Sequence, residues 1–186
     1  MTADPGDVVV ETERTRLRLW RADEADRFLD TYSRWEVARW LGATPTLLRS
    51  REEAVTRIER WAARGSEHPG RGLWAVERKD DRTVVGTILL VPVPDGDGEI
   101  EVGWHLHPDS WGHGFATEGA RAVLERAFAD GLDEAIAVVR PDNSASIAVC
   151  HRLGMEPLGL TDRFYGTELE LFRIVSPVTA RGVASD

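Results

Sequence analysis

Residues 99–119 read EIEVGWHLHPDSWGHGFATEG, a run that begins as an alternating strand and ends as a helix. Ile100, Val102, Trp104 and Leu106 fall on one side of a period-two pattern, with Glu99, Glu101, Gly103, His105 and His107 on the other. Pro108 and Asp109 turn the chain, two glycines follow, and the next segment sets Ala120, Val123, Leu124, Ala127 and Phe128 on one helical face before stopping at Gly131. Glycines at such a junction cost backbone entropy unless bare backbone is needed there. With no side chains at 112 and 114, successive N–H groups point outward at a helix N-terminus, where amides and helix dipole together hold a phosphate without any lysine. A tight strand-to-helix turn accounts for the same glycines. A Walker loop does not, for want of its Gly-Lys-Ser/Thr end, and a dinucleotide fingerprint has Thr117 where its third glycine belongs.

Upstream of this run, TRLRLW (15–20) alternates as a strand, and ADEADRFLDTYSRWEVARWLG is helical, with Asp23 as its cap, until Gly42 and Pro45 break it. SREEAVTRIERWAARG carries Ser50 followed three residues on by Glu53, a capping box, and Gly65 is expected to end that helix. LWAVER (73–78), TVVGTILLV (83–91) and EIEVGWHLH (99–107) form three strands separated by turn segments, an antiparallel meander. Downstream, EAIAVV (134–139) is a short buried strand. The order strand, helix, strand requires a right-handed parallel crossover between 99–107 and 134–139. NSASIAVCHRLG then makes a helix capped by Asn143 and closed by Gly154, and MEPLGL and TELELFRIV are closing strands. The expected fold class is α/β (α+β): a single-domain mixed, mostly antiparallel twisted sheet with helices on both faces and one parallel, splayed central strand pair.

At 186 residues the chain suits one domain. No stretch approaches the roughly 18 uninterrupted apolar residues of a membrane helix, and MTADPGDVVVETE has neither the basic start nor the apolar segment of a secretory signal. A cytoplasmic protein with no membrane association is expected. The single cysteine, Cys150, permits no internal disulfide and is too little for a thiolate metal cluster, so no metal site is expected. A net charge of -9 without a basic cluster argues against nucleic acid and favours a cationic or neutral partner.

HLHPDSWGHGFATEGARAVLERAF, followed by NSASIAVCHRLGMEPLG, resembles the acetyl-CoA signature of the GNAT superfamily of N-acetyltransferases, in particular the branch of ribosomal-protein N-terminal acetyltransferases. The resemblance covers roughly residues 12–175, leaving 1–11 and 176–186 as loose ends. The family's loop pattern is Gln/Arg-x-x-Gly-x-Gly/Ala, and Trp111, Gly114 and Ala116 stand at its fixed places; Trp-Gly-x-Gly is frequent in this branch. The resemblance implies acetyl-CoA as co-substrate. Its pyrophosphate would lie on the loop of Trp111, Gly112, His113, Gly114, Phe115, Ala116 and Thr117, its pantetheine arm beside the backbone of Trp104, His105 and Leu106, and Asn143 nearby. Splayed parallel strands expose unpaired backbone groups, which the amides of pantetheine complete as an added pseudo-strand.

Moving an acetyl group from a thioester to an amine needs a neutral amine, a stabilised oxyanion and a leaving thiolate that can take a proton. A carboxylate within a central strand is costly unless partnered or wet, so Glu101 beside Gly103 suggests a polar cleft and is the candidate base; the alternative is an ordinary solvated strand face. His105, with an unperturbed pKa near ~6.5, is a candidate to share that role. Many relatives carry a general-acid tyrosine where this chain has Cys150, a residue type equally at home in a core. Ser146, one turn earlier, can hydrogen-bond the leaving sulfur, and Tyr165, in TDRFYGT, is a third acid candidate. Trp35, Trp40 and Trp61 form either an aromatic acceptor wall or core. The expected partner is an amine acceptor, either a protein N-terminal α-amine or a small primary amine, taken by a monomer or a homodimer. A non-catalytic acyl-CoA sensor is the competing reading.

Overall fold

Each strand's neighbours are set by which side it must bury. The computed structural model describes residues 8–67, 70–94, 96–177 and 179. Strands β1 (Val8–Glu11), β2 (Thr15–Arg18), β3 (Gly72–Arg78), β4 (Val84–Pro92), β5 (Ile100–Leu106), β6 (Glu134–Val139), β7 (Glu156–Thr161) and β8 (Leu169–Val175) form one sheet in the order β1-β2-β3-β4-β5-β6-β8-β7. Every adjacent pair is antiparallel except β5 and β6. The helices are α1 (Ala25–Tyr32), α2 (Trp35–Ala38), α3 (Arg51–Glu67), α4 (Phe115–Ala129) and α5 (Ser144–Leu153).

The two sheet faces hold separate cores. On one, α4 and α5 pack Ala120, Val123, Leu124, Val149 and Leu153 against Val76, Ile88, Leu90, Ile100 and Val102. On the other, α1 and α3 pack Phe28, Tyr32, Ala54 and Ile58 against Trp20, Ala75 and Val84. This mixed sheet with helices on both faces, and its single parallel pair, match the class expected from sequence. Complete burial of a Leu, Ile or Phe side chain contributes about 1.5–3 kcal/mol, so both helical layers are held by their apolar stripes. The α4 stripe begins earlier than the sequence suggests, because Phe115 and Ala116 are already buried.

Several local expectations change. Val8–Glu11, placed with the loose N-terminal residues, is an edge strand registered Val10 to Leu17. Asp23 does not cap α1; it lies within a 3-10 turn, Ala22–Glu24, in which the Glu24 carboxylate accepts from the Arg21 amide at 3.0 Å. The long helical segment is interrupted at Ser33 and Arg34, dividing α1 from α2. Gly65 does not end α3, which continues to Glu67, since one helical glycine costs only about 1 kcal/mol. At its start Ser50 Oγ accepts from the Glu53 amide at 3.2 Å, while the Glu53 carboxylate accepts from the Arg49 amide at 2.8 Å. Asn143 caps α5 through Oδ1, which accepts from the Ser146 amide at 3.2 Å, and Gly154 closes it in the left-handed region. Among the described residues no helix is long and apolar enough to cross a membrane. Most of the C-terminal segment 176–186 and residues 1–7 lie outside the described residues.

Candidate active site

The parallel pair separates almost as soon as it forms. β5 and β6 share one registered pair, Glu101 with Ile136. Beyond it β5 continues to pair with β4 as far as Leu106 opposite Gly86, and β6 with β8 as far as Val139 opposite Glu170. Trp104, His105 and Leu106 therefore border a wedge with one strand edge not paired to another strand, so backbone groups there, apart from the Leu106 carbonyl that Trp111 occupies, are open to an extended ligand.

At the mouth of the wedge, Gly112 (φ 78°) and Gly114 (φ 81°) adopt the left-handed conformation, which a side chain disfavours by about 1–2 kcal/mol. They turn the chain so that α4 starts at Phe115. Among the described residues, no group accepts a hydrogen bond from the amides of Gly112, His113, Gly114, Phe115, Ala116 or Thr117. The Trp111 amide is outside this set, since it donates to the Pro108 carbonyl at 3.2 Å; its indole N–H donates to the Leu106 carbonyl at 2.9 Å, tying the loop to the end of β5. The loop is braced from a distant segment. Arg14 donates to the His113 carbonyl at 3.0 Å and to Glu118 Oε2 at 2.7 Å, and its guanidinium lies 4.8 Å from the Phe115 ring centre. Asp109, in the turn before the loop, is gripped by both terminal nitrogens of Arg27 at 2.9 Å, which holds its carboxyl far below the usual range. Thr117 Oγ1 accepts from Arg152 at 3.1 Å, bringing the end of α5 beside the start of α4.

The wall opposite β5 is α5. Trp104 Nε1 donates to Ser146 Oγ at 3.2 Å, so an indole bridges the wedge and leaves the serine proton free to be donated. Cys150 is fully buried in the α4–α5 core, and burial pushes its thiol up to about 12. It lines no part of the wedge and is core, one of the two readings its sequence position allowed.

The second face of β5 carries the polar side chains. Glu101 Oε2 accepts from the Tyr165 hydroxyl at 2.5 Å, and burial raises its carboxyl to about 7, against the lowering effect of that hydrogen bond. Tyr165 comes from the β7–β8 loop with φ 56°, a conformation unusual for tyrosine, and burial beside Glu101 moves its own ionisation upward. The two residues singled out separately in the sequence are thus joined, and Glu101 is no solvated strand residue. Gly103 plays another part than opening a cleft, because a Cβ there would press on Leu89 at 3.1 Å. His105 Nδ1 lies 3.3 Å from the Tyr32 hydroxyl, and burial lowers its pKa to about 4. It is neutral at physiological pH, whereas the Glu101 carboxyl is raised toward neutrality.

Of the aromatic residues, Trp61 packs edge-on to Phe28 at 5.0 Å and is core, Trp40 lies under Arg39 at 4.2 Å, and Trp35 is 55 % exposed. Arg14, Tyr32 and Thr87 had no sequence signal pointing to the site. Each reaches it only through strand order or helix packing.

The family model described as an acetyltransferase (GNAT) domain matches residues 14–156. The chain is 31 % identical over 176 residues to an uncharacterized N-acetyltransferase, YoaA, of Bacillus subtilis, covering 91 % of this chain and 97 % of that one. Among solved structures, the GNAT-family acetyltransferase of Bacillus anthracis superposes with a TM-score of 0.73 at 20 % identity, over 90 % of this chain and 98 % of that one. RimL, a ribosomal L7/L12 α-N-protein acetyltransferase solved with coenzyme A, superposes with a TM-score of 0.74 at 14 % identity, over 90 % and 97 %.

Proposed function

The chain belongs to the GNAT acetyltransferase family, and from that premise we propose which residues carry its reaction and what it acts on. It is an acetyl-CoA-dependent N-acetyltransferase. The observation that carries the residue assignment is the meeting, at one strand separation, of unpaired amides from Gly112 to Thr117 with a half-buried carboxyl raised to about 7.

Acetyl-CoA supplies an acetyl thioester. In the proposed arrangement the amides of the loop hold its diphosphate, Trp111 fixes the loop to β5, and the free edge at Trp104, His105 and Leu106 pairs with the pantetheine amides. Asn143 holds the start of α5, and with it Ser146, against the wedge. The acceptor arrives on the opposite face of β5. Glu101 takes a proton from its ammonium or its attacking amine, directly or through water; a base with a pKa near the working pH suits that task. Nitrogen attacks the acetyl carbon, the C–N bond forms, the C–S bond breaks, and the thiolate sulfur takes a proton. Ser146, whose oxygen is already engaged by Trp104, aims its own proton at the sulfur. Tyr165 keeps Glu101 ionisable by donating to it, a positioning role that replaces the general-acid role considered for it.

The proposed acceptor is a protein N-terminal α-amine, with small primary amines second, and the proposed location is the cytoplasm. Support comes from the overall net charge of -9, which attracts a cationic acceptor, and from the likeness to RimL, an α-N-protein acetyltransferase of ribosomal L7/L12. A thiol-release screen of the full chain with acetyl-CoA over N-terminal peptides and small amines tests this. Release of CoA that depends on a peptide amine is expected; binding of acetyl-CoA with no release for any amine would instead favour a sensor.

A further inference from the structure

A buried chain of polar groups ends at His105 and determines which of its ring nitrogens carries the proton. Trp20 Nε1 lies 3.0 Å from Thr87 Oγ1, and an indole N–H can only donate. Thr87 Oγ1 is also 2.7 Å from the Tyr32 oxygen, which in turn lies 3.3 Å from His105 Nδ1. Thr87 and Tyr32 are enclosed, at 0 % and 1 % exposure. Among the described residues the Thr87 proton has one acceptor, the Tyr32 oxygen, and the Tyr32 proton then has one, His105 Nδ1. Any other order strands a hydroxyl proton in a closed site, at a cost of about 1–3 kcal/mol. Burial keeps the ring neutral, so Nδ1 is bare and the proton sits on Nε2.

That N–H points away from Tyr32. Among the described residues nothing accepts from it, and it is not one of the enclosed polar atoms left without a partner, so it reaches solvent on the face of β5 that Glu101 shares. Four residues of strand separate the two backbones, about 13 Å at ~3.3 Å per residue. An extended peptide with its amine at Glu101 and running alongside β5 brings the carbonyl of its third residue toward His105.

We infer that His105 is a specificity-determining residue that donates Nε2–H to a carbonyl oxygen of the acceptor, held in that tautomer by the relay Trp20, Thr87, Tyr32. This rests on the acetyl-transfer reading above. It gives His105 a task other than proton traffic and favours peptide amines over bare alkylamines.

Histidine-selective nitrogen-15 labelling of the full chain, with His105→Gln to identify the signal, reads the tautomer directly. The expected result is an unprotonated Nδ1 and a protonated Nε2 from pH 6 to 8, with Tyr32→Phe or Thr87→Val loosening that preference. An Nδ1–H tautomer or a cationic ring overturns the relay. For the acceptor, kcat/KM is compared between a tripeptide amide and butylamine. His105→Phe is expected to lower the tripeptide value at least tenfold more than the butylamine value, with the acetyl-CoA KM unmoved. His105→Gln, which keeps an N–H donor, is expected to recover part of that loss. An equal loss for both acceptors, or a weakened acetyl-CoA KM, overturns the donor role. If the wild type releases no CoA with either amine, the failure belongs to the acetyl-transfer reading and removes the acceptor half of the inference, while the tautomer signal alone upholds or overturns the relay.

Discussion

The cofactor loop and the polar face of β5 meet at one strand separation yet are made of different material. The loop offers main-chain amides, which need only two left-handed glycines and a helix start within one short stretch of sequence. The face depends on Glu101 and His105 of β5 joined to Tyr165, 64 residues on, and to Tyr32, 73 residues back. A site of backbone tolerates change in most of its side chains, whereas a site of side chains fails when any one partner is lost. Binding of the donor should therefore be robust, and turnover and acceptor choice fragile.

The sharpest way to break that contrast is Glu101→Gln. Turnover is expected to fall by roughly 10²–10⁴ with acetyl-CoA affinity, read by calorimetry, within twofold of wild type (about 0.4 kcal/mol). Loss of affinity together with turnover would merge the two regions into one. The same variant tests the buried carboxyl through stability. Glu101 ionises near 7 when folded against 4.5 ordinarily, so below pH 4 it is protonated in both states and carries no penalty. As pH rises from 4.5 to 7 the unfolded chain ionises first and the folded state loses ground. Denaturant titrations should show Glu101→Gln gaining about 3 kcal/mol on wild type between pH 4 and pH 8; a constant difference would mean the carboxyl is not held out of water.

Next in size is Gly114→Val, which places a β-branched residue at φ 81°. Among the described residues only Arg14 Nη2 lies within 4 Å of the new Cβ, at 3.5 Å, so the obstacle is backbone conformation and not crowding. Acetyl-CoA affinity should fall about tenfold or more, with an unchanged far-UV spectrum. Tyr165→Phe is subtler. Turnover limited by ionisation of Glu101 rises with pH through about 7 in the wild type, and removing the hydroxyl that favours the carboxylate moves this limb to higher pH. A limb that stays in place detaches Tyr165 from the base. The smallest effect expected is for Trp104→Phe, a severalfold loss of kcat, since one neutral hydrogen bond to Ser146 contributes about 1 kcal/mol.

The same contrast explains how much could be read from sequence. The strand, loop, helix run of 99–129 and the capped α5 were legible because periodicity, Gly112, Gly114 and Asn143 act over a few residues. Glu101, Ser146 and Tyr165 could be named from sequence as candidates by type and place, but not the bonds joining Tyr165 to Glu101 or Trp104 to Ser146. Those arise from sheet order, which brings the β7–β8 loop and α5 to β5. Arg14 illustrates the limit: 99 residues from His113, it reaches the loop because α4 packs over β2. β1 is a short edge strand whose register comes from its partner, and Gly103 accommodates Leu89 of the neighbouring strand. Neither has a local signature.

The most direct test of the account is an amide nitrogen-15 titration of the full chain with CoA and, separately, with pantetheine, which lacks the diphosphate. With CoA, the largest shifts should fall on Gly112 through Thr117 together with Trp104 to Leu106; with pantetheine, only the Trp104 to Leu106 group should move. Loop amides that stay still on CoA binding, or move equally with pantetheine, would contradict the assignment of the diphosphate to the bare backbone ahead of α4.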